Sequence, residues 1–168
     1  PYDEKRVIRD VRGHAYVRLA DTKKELTDTE IRELEVAKGQ IDIEQEPANL
    51  SYPDDFNIQL VRQYVDSVVK TKGLAQSHAD TEILAHGRLG KLQKGVFTPN
   101  VACSLLFAKD PLLLFPGCKV RLLRFDGETE QTGKNYNVIK DFSVEGPIPE
   151  IIVEVANQLK AQLKDFSR

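Results

Sequence analysis

The stretch Asn100 to Ala108 constrains this chain most, because Val101, Ala102, Leu105, Leu106 and Phe107 leave almost no polar side to a helix. A helix that is apolar nearly all round cannot lie on a surface, so the segment predicts a buried helix that other elements must enclose. Thr98 reads as its cap and Pro99 as its first residue, where the missing N–H of proline is no loss. Asp110-Pro111 ends it. The chain has 168 residues, 40% of them hydrophobic and 30% charged, enough for one globular domain or two small subdomains around such a helix.

The remaining elements follow from periodicity and punctuation. Residues 12–20 alternate weakly, with Ala15, Val17 and Leu19 on one side and His14, Tyr16 and Arg18 on the other, and predict a half-buried strand. Thr27 and Glu30 form a capping-box pattern ahead of Ile31, Leu34 and Ala37 at helical spacing, and Gly39 closes that helix. Ile41 and Ile43 alternate with Asp42 and Glu44, predicting a short strand over 41–46 before a connection framed by Pro47 and Pro53. A broad apolar face of Phe56, Leu60, Val61, Tyr64, Val65, Val68 and Val69 predicts a helix over 54–72, stopped by Gly73. Ser77 is placed to cap a short helix over 78–86, closed by Gly87. Residues 88–97 make two short stretches punctuated by glycines, ahead of the buried helix over 99–108.

Phe115-Pro116-Gly117 turns the chain into a predicted strand over 118–125, Asp126-Gly127 opens a polar loop, and 138–144 predicts an antiparallel partner strand. A long amphipathic helix is expected over 149–166 through Ile151, Ile152, Val155, Leu159 and Leu163. The expected fold is α+β: short N-terminal strands, a helical middle resembling a winged helix, an antiparallel strand pair and a long C-terminal helix. The expected division is 1–53 and 54–168.

Charge narrows the chemistry. The 24 Lys and Arg against 26 Asp and Glu give a net charge of -2, which excludes a uniformly basic nucleic-acid binder or a charged tail. The balance is uneven, however: residues 1–53 hold 9 basic and 12 acidic side chains, whereas residues 85–141 hold 9 basic and 5 acidic. Within the latter, Arg88, Lys91 and Lys94 sit on the stretch that a winged-helix order would turn into a wing, where cations meet phosphates. The plain alternative is a solvated turn carrying ordinary Lys and Arg.

Other chemistry is sparse. His14, His78 and His86 share no metal-ligand spacing, and the scattered glycines build no phosphate-cradling turn. Asp126-Gly127-Glu128 lacks the alternating oxygen ligands of a calcium loop and reads as a hairpin turn. Cys103 and Cys118 have apolar neighbours and are expected to be buried, reduced thiols. No catalytic residue and no metal ligand can be assigned. With no long apolar run and no leader, a cytoplasmic chain is expected, and with Pro1 first and no Met, a piece of a longer one.

Three blocks read together are more specific. They are Gly13-His14-Ala15-Tyr16-Val17-Arg18-Leu19-Ala20-Asp21, the run from Gly95-Val96-Phe97-Thr98-Pro99-Asn100 through Ala108-Lys109-Asp110-Pro111, and Phe115-Pro116-Gly117-Cys118-Lys119-Val120-Arg121-Leu122-Leu123-Arg124-Phe125-Asp126-Gly127, with Glu145-Gly146-Pro147-Ile148-Pro149 opening the last helix. Together they resemble bacterial and archaeal proteins that join a Schlafen-type, AlbA-like DNA-binding domain, also called divergent AAA, to a RecG-like, GHKL-ATPase-related region. Such proteins are described as transcriptional regulators or ATP-binding proteins.

The resemblance implies that residues 1–53 are the end of an AlbA-like domain and a connector, and that 54–168 lead toward the ATPase-like region. The AlbA-like core before the Tyr16-Val17-Arg18 strand lies outside this chain. So does the downstream Asn-Ala and His-Arg-Asp-Tyr-like segment where nucleotide binding is inferred in the family. Neither ATP hydrolysis nor nuclease chemistry therefore transfers to any residue here, and ATP is a cofactor expected only of the full-length protein. The expected function is a non-catalytic module of a DNA-binding transcriptional regulator, with nucleic acid and the rest of the parent chain as partners. Two alternatives stand beside it: a structural fragment of an ATP-dependent enzyme whose nucleotide site lies elsewhere, and a homo-oligomerisation piece built on the last helix.

Overall fold

The computed structural model describes residues 3–73 and 78–165, which divide into two compact units, Pro1–Glu46 and Pro47–Arg168. In the first, β1 (Tyr16–Leu19) pairs antiparallel with β2 (Thr22–Glu25), Tyr16 opposite Glu25 and Leu19 opposite Thr22. The predicted strand over 12–20 is thus shorter and half of a hairpin. Lys23 lies over the Tyr16 ring, 3.6 Å from its centroid, a cation–π contact across the pair. Helix α1 (Asp28–Ala37) starts where the capping box requires: the Glu30 N–H donates to the Thr27 hydroxyl at 3.3 Å and the Thr27 N–H to the Glu30 carboxylate at 2.9 Å. Residues 41–46 form no strand. They make a 3-10 turn at Ile43–Gln45, and with both Ile43 and Glu44 exposed no sheet face exists for the alternation to serve.

The second unit is built on α2 (Ile58–Lys72) and α3 (Asp80–His86). The predicted start at Asp54 is four residues early, because the side chain of Asn57 caps α2 by accepting the Gln59 N–H at 3.1 Å. The C-terminal stop falls on Gly73, whose φ of 62° is the left-handed conformation glycine adopts without strain. The cap expected from Ser77 lies outside the described residues. Between α3 and the next helix the chain makes a tight hairpin of β3 (Gly90–Gln93) and β4 (Val96–Pro99), then enters α4 (Val101–Phe107).

Helix α4 is buried, as its composition requires. Val101, Cys103, Ser104 and Phe107 are inaccessible to solvent or nearly so, and Cys103 and Phe107 form one core with Phe56, Val61, Val65, Ile83, Leu84, Leu89 and Phe97. The predicted cap is displaced. Thr98 and Pro99 belong to the strand, and the side chain of Asn100 accepts the Cys103 N–H at 3.0 Å instead. The end of α4 is tied to the start of α2: the Asn57 N–H donates to the Phe107 carbonyl at 2.8 Å and the Lys109 N–H to the Asp55 carbonyl at 2.9 Å.

After a 3-10 turn at Pro111–Leu113, strands β5 (Lys119–Phe125) and β6 (Val138–Glu145) pair antiparallel, Lys119 opposite Glu145, with an irregularity at Arg124/Phe125. The polar connection 126–137 is gathered by Asn137. Its amide nitrogen donates to the carbonyls of Asp126 at 2.5 Å and Thr129 at 3.0 Å, and its oxygen accepts the Gln131 N–H at 2.8 Å. Helix α5 (Ile148–Asp165) packs on this strand pair and on α4, with Arg124 donating to Gln162 at 3.1 Å and Asn57 to Glu150 at 3.2 Å. Among the described residues, three antiparallel pairs and five α-helices make the fold α+β.

Candidate nucleic-acid interface

The sequence-predicted cations Arg88, Lys91 and Lys94 all fall on or beside the β3–β4 hairpin, and all three are exposed. The hairpin has a two-residue tip, Lys94-Gly95, with φ of 49° and 79°. Left-handed backbone at both central residues is the type I′ pattern, whose twist suits a two-residue hairpin and which normally selects Asn-Gly or Gly-Gly. Here a lysine occupies the first position.

The hairpin base is built the same way. Helix α3 ends in a Schellman motif, with the Leu89 N–H donating to the Leu84 carbonyl at 2.9 Å and the Arg88 N–H to the Ala85 carbonyl at 3.0 Å. The left-handed residue of that motif, usually glycine, is Arg88 at φ 60°. Among the described residues only Ala20, Arg88 and Lys94 are non-glycines with positive φ, so two of the three are cations of this hairpin. Each such position costs about 1 kcal/mol relative to glycine.

One face of the hairpin is fixed to the core. Phe97 is buried and meets Tyr52 edge-on at 5.3 Å, and Gly90 leaves room for it: a Cβ there would lie 2.5 Å from the Thr98 carbonyl oxygen and 2.6 Å from Phe97 Cζ. The opposite face carries Lys91 and Gln93 paired with Thr98 and Val96, all exposed. Asn100 secures the base from below. Besides capping α4, it donates its side-chain amide to the Arg88 carbonyl at 2.7 Å and its N–H to the Leu89 carbonyl at 3.2 Å.

Electrostatically the region stands apart. No acidic residue occurs between Glu82 and Asp110, in a chain with 26 of them. This run is a signal readable from sequence that block-wise charge sums dilute. No ion pair to Arg88, Lys91 or Lys94 is present among the described residues. By contrast Arg9, Lys24, Arg32 and Arg121 are each held by a carboxylate.

Other candidate groups separate from one another. Cys103 is fully buried, and desolvation pushes its thiol up to about 12. Cys118 is only half-buried, against the expectation of burial, and its thiol donates to the Gly146 carbonyl at 3.5 Å. His14 stands 3.4 Å from Glu25 and 3.9 Å from Asp10, and His78 stands 3.2 Å from Glu82, pairings that only the folded chain makes visible. No group of three or more His, Cys, Asp or Glu side chains is arranged for a metal among the described residues. No described helix is long and apolar enough to cross a membrane. No family model, curated protein or solved structure matches the chain.

Proposed function

We propose that this chain is a non-catalytic nucleic-acid-binding module of a transcriptional regulator, in which Arg88, Lys91 and Lys94 on the β3–β4 wing contact the phosphates of DNA. The carrying observation is that an acid-free hairpin presents three cations with no ion pair among the described residues, two of them on left-handed backbone where glycine would be less strained. Strained backbone beneath a charged side chain supports a role for that side chain. The same proposal takes in the Schlafen AlbA-like family placement, a cytoplasmic location, and ATP only as a ligand of other parts of the parent protein.

Fluorescence anisotropy of the full chain with a labelled DNA duplex, titrated across salt, tests the wing. Each phosphate contact contributes roughly 0.9 to the slope of log K against log salt, so R88A/K91A/K94A lowers that slope by about 2 to 3. Absence of salt-dependent binding by the parent chain, or a triple variant that binds like the parent, sinks the proposal. A second reading, self-association of this chain, is favoured by the exposed row Ile152, Leu159 and Leu163 on α5. Sedimentation equilibrium over a range of protein concentration decides it, since a chain that stays monomeric refutes it.

A further inference from the structure

We infer that the wing engages double-helical DNA through its backbone alone, so that binding is independent of base sequence; this rests on the wing reading above. In a winged-helix arrangement base edges are read by the helix that precedes the hairpin, its N-terminal residues lying in the major groove. Here that helix is α3, which packs directly on β3. It has seven residues, Asp80–His86, and spans roughly 10 Å at 1.5 Å per residue. Its sequence Asp80-Thr81-Glu82-Ile83-Leu84-Ala85-His86 contains no Arg, Lys, Asn or Gln, the side chains that make two-pronged contacts with guanine or adenine.

Its leading turn is also of the wrong sign. Asp80 and Glu82 occupy it, and the Glu82 carboxylate accepts the Ala79 N–H at 3.3 Å and lies 3.2 Å from His78. Two carboxylates at the leading end of a helix are repelled by the phosphates that line a groove. The helix after the hairpin offers no substitute. Helix α4 is buried, and its only polar side chains, Cys103 and Ser104, are inaccessible.

Single strands are disfavoured by the same surface. Binding of unpaired bases relies on exposed aromatic platforms, and the one aromatic ring of the hairpin, Phe97, is buried against Tyr52. Besides the apolar Leu92 and Val96, the hairpin exposes three cations, Arg88 at the base, Lys91 on β3 and Lys94 at the tip, with the polar side chains of Gln93 and Thr98. Those groups recognise phosphate and sugar oxygens, which position a protein on a duplex without reading its sequence.

The test is anisotropy of the full chain with three 20-base-pair DNA duplexes of unrelated sequence, one single strand and one RNA duplex of equal length. The expected result is equal affinity for the three DNA duplexes within about twofold, weaker binding of the single strand, and a common salt slope that R88A/K91A/K94A reduces for all three. T81A/H86A, which removes the polar side chains of α3 other than its two carboxylates, is expected to leave every duplex affinity unchanged. A preference of tenfold or more among the duplexes that T81A/H86A removes overturns the inference, as does tighter binding of the single strand or of the RNA duplex. Loss of all salt-dependent binding is a different failure, that of the wing itself.

Discussion

Substituting Arg88 by glycine and by alanine in parallel inverts the usual order of stability. At an ordinary position in a helix or strand, glycine is less stable than alanine by roughly 0.5–1 kcal/mol, because the unfolded chain gains freedom. Arg88 has φ 60°, where any residue with a Cβ is strained by about 1 kcal/mol or more. Both variants lose the same guanidinium and keep the same backbone hydrogen bonds, from the Arg88 N–H to Ala85 and from the Leu89 N–H to Leu84. Arg88→Gly is therefore expected to exceed Arg88→Ala by about 1 kcal/mol. With a urea slope of about 1–3 kcal/mol/M, that difference moves the unfolding midpoint upward by roughly 0.3–1 M at constant slope. Lys91 supplies the control: it lies within β3 and its backbone is not left-handed, so glycine there should be the less stable of the pair. If Arg88→Ala matches or exceeds Arg88→Gly, the Schellman turn at the base of the wing is wrong, and with it the placement of the basic row.

Asn100→Ala removes the buried cap acceptor for Cys103 and the partly buried donor to the Arg88 carbonyl, and is expected to cost about 2–4 kcal/mol in the same urea series; a loss under about 1 kcal/mol contradicts the double role. Brief iodoacetamide treatment of the native chain, read by mass spectrometry, is expected to modify Cys118 before Cys103, whose thiol is raised to about 12 by burial. The reverse order refutes that burial. Lys24 and the Thr27 cap hold the Glu30 carboxyl at about 2, below its ordinary 4.5. A depressed carboxylate stabilises the fold above the unfolded value and loses that contribution as pH falls through the folded one, so Glu30→Gln should flatten acid unfolding between about pH 4.5 and 2. An unchanged acid profile by circular dichroism would remove the depression of the Glu30 carboxyl by Lys24 and Thr27 from the account.

The parts of the fold that were legible in sequence are those where one physical demand acts alone. The nearly all-apolar run at Val101–Ala108 can only be buried, and Thr27 with Glu30 can do little but begin a helix. Misreadings arose where two demands met. Ile41 and Ile43 alternate without a sheet to join, and Thr98-Pro99 resembles a helix start while Phe97 holds those residues in a strand. Strand β2, Thr22–Glu25, was invisible because all four residues are exposed and none alternates. The wing is the clearest case: Gly95 announces a turn, but Lys and Arg carry no signal for positive φ, so the strained backbone of Arg88 and Lys94 appears only in the folded chain.

The clasp at Asn137 has a consequence for where this chain can change in length. Its three hydrogen bonds tie down Asp126, Thr129 and Gln131 and so hold the near end of the connection against the strand pair. Residues 132–136 lie beyond that clasp and are exposed. Lengthening a surface loop costs little, about 0.6 kcal/mol for each doubling. An epitope or reporter peptide grafted between Thr132 and Tyr136 should therefore leave the β5–β6 register intact, whereas the same graft between Asp126 and Thr129 would pull the clasp apart and let the strands slip.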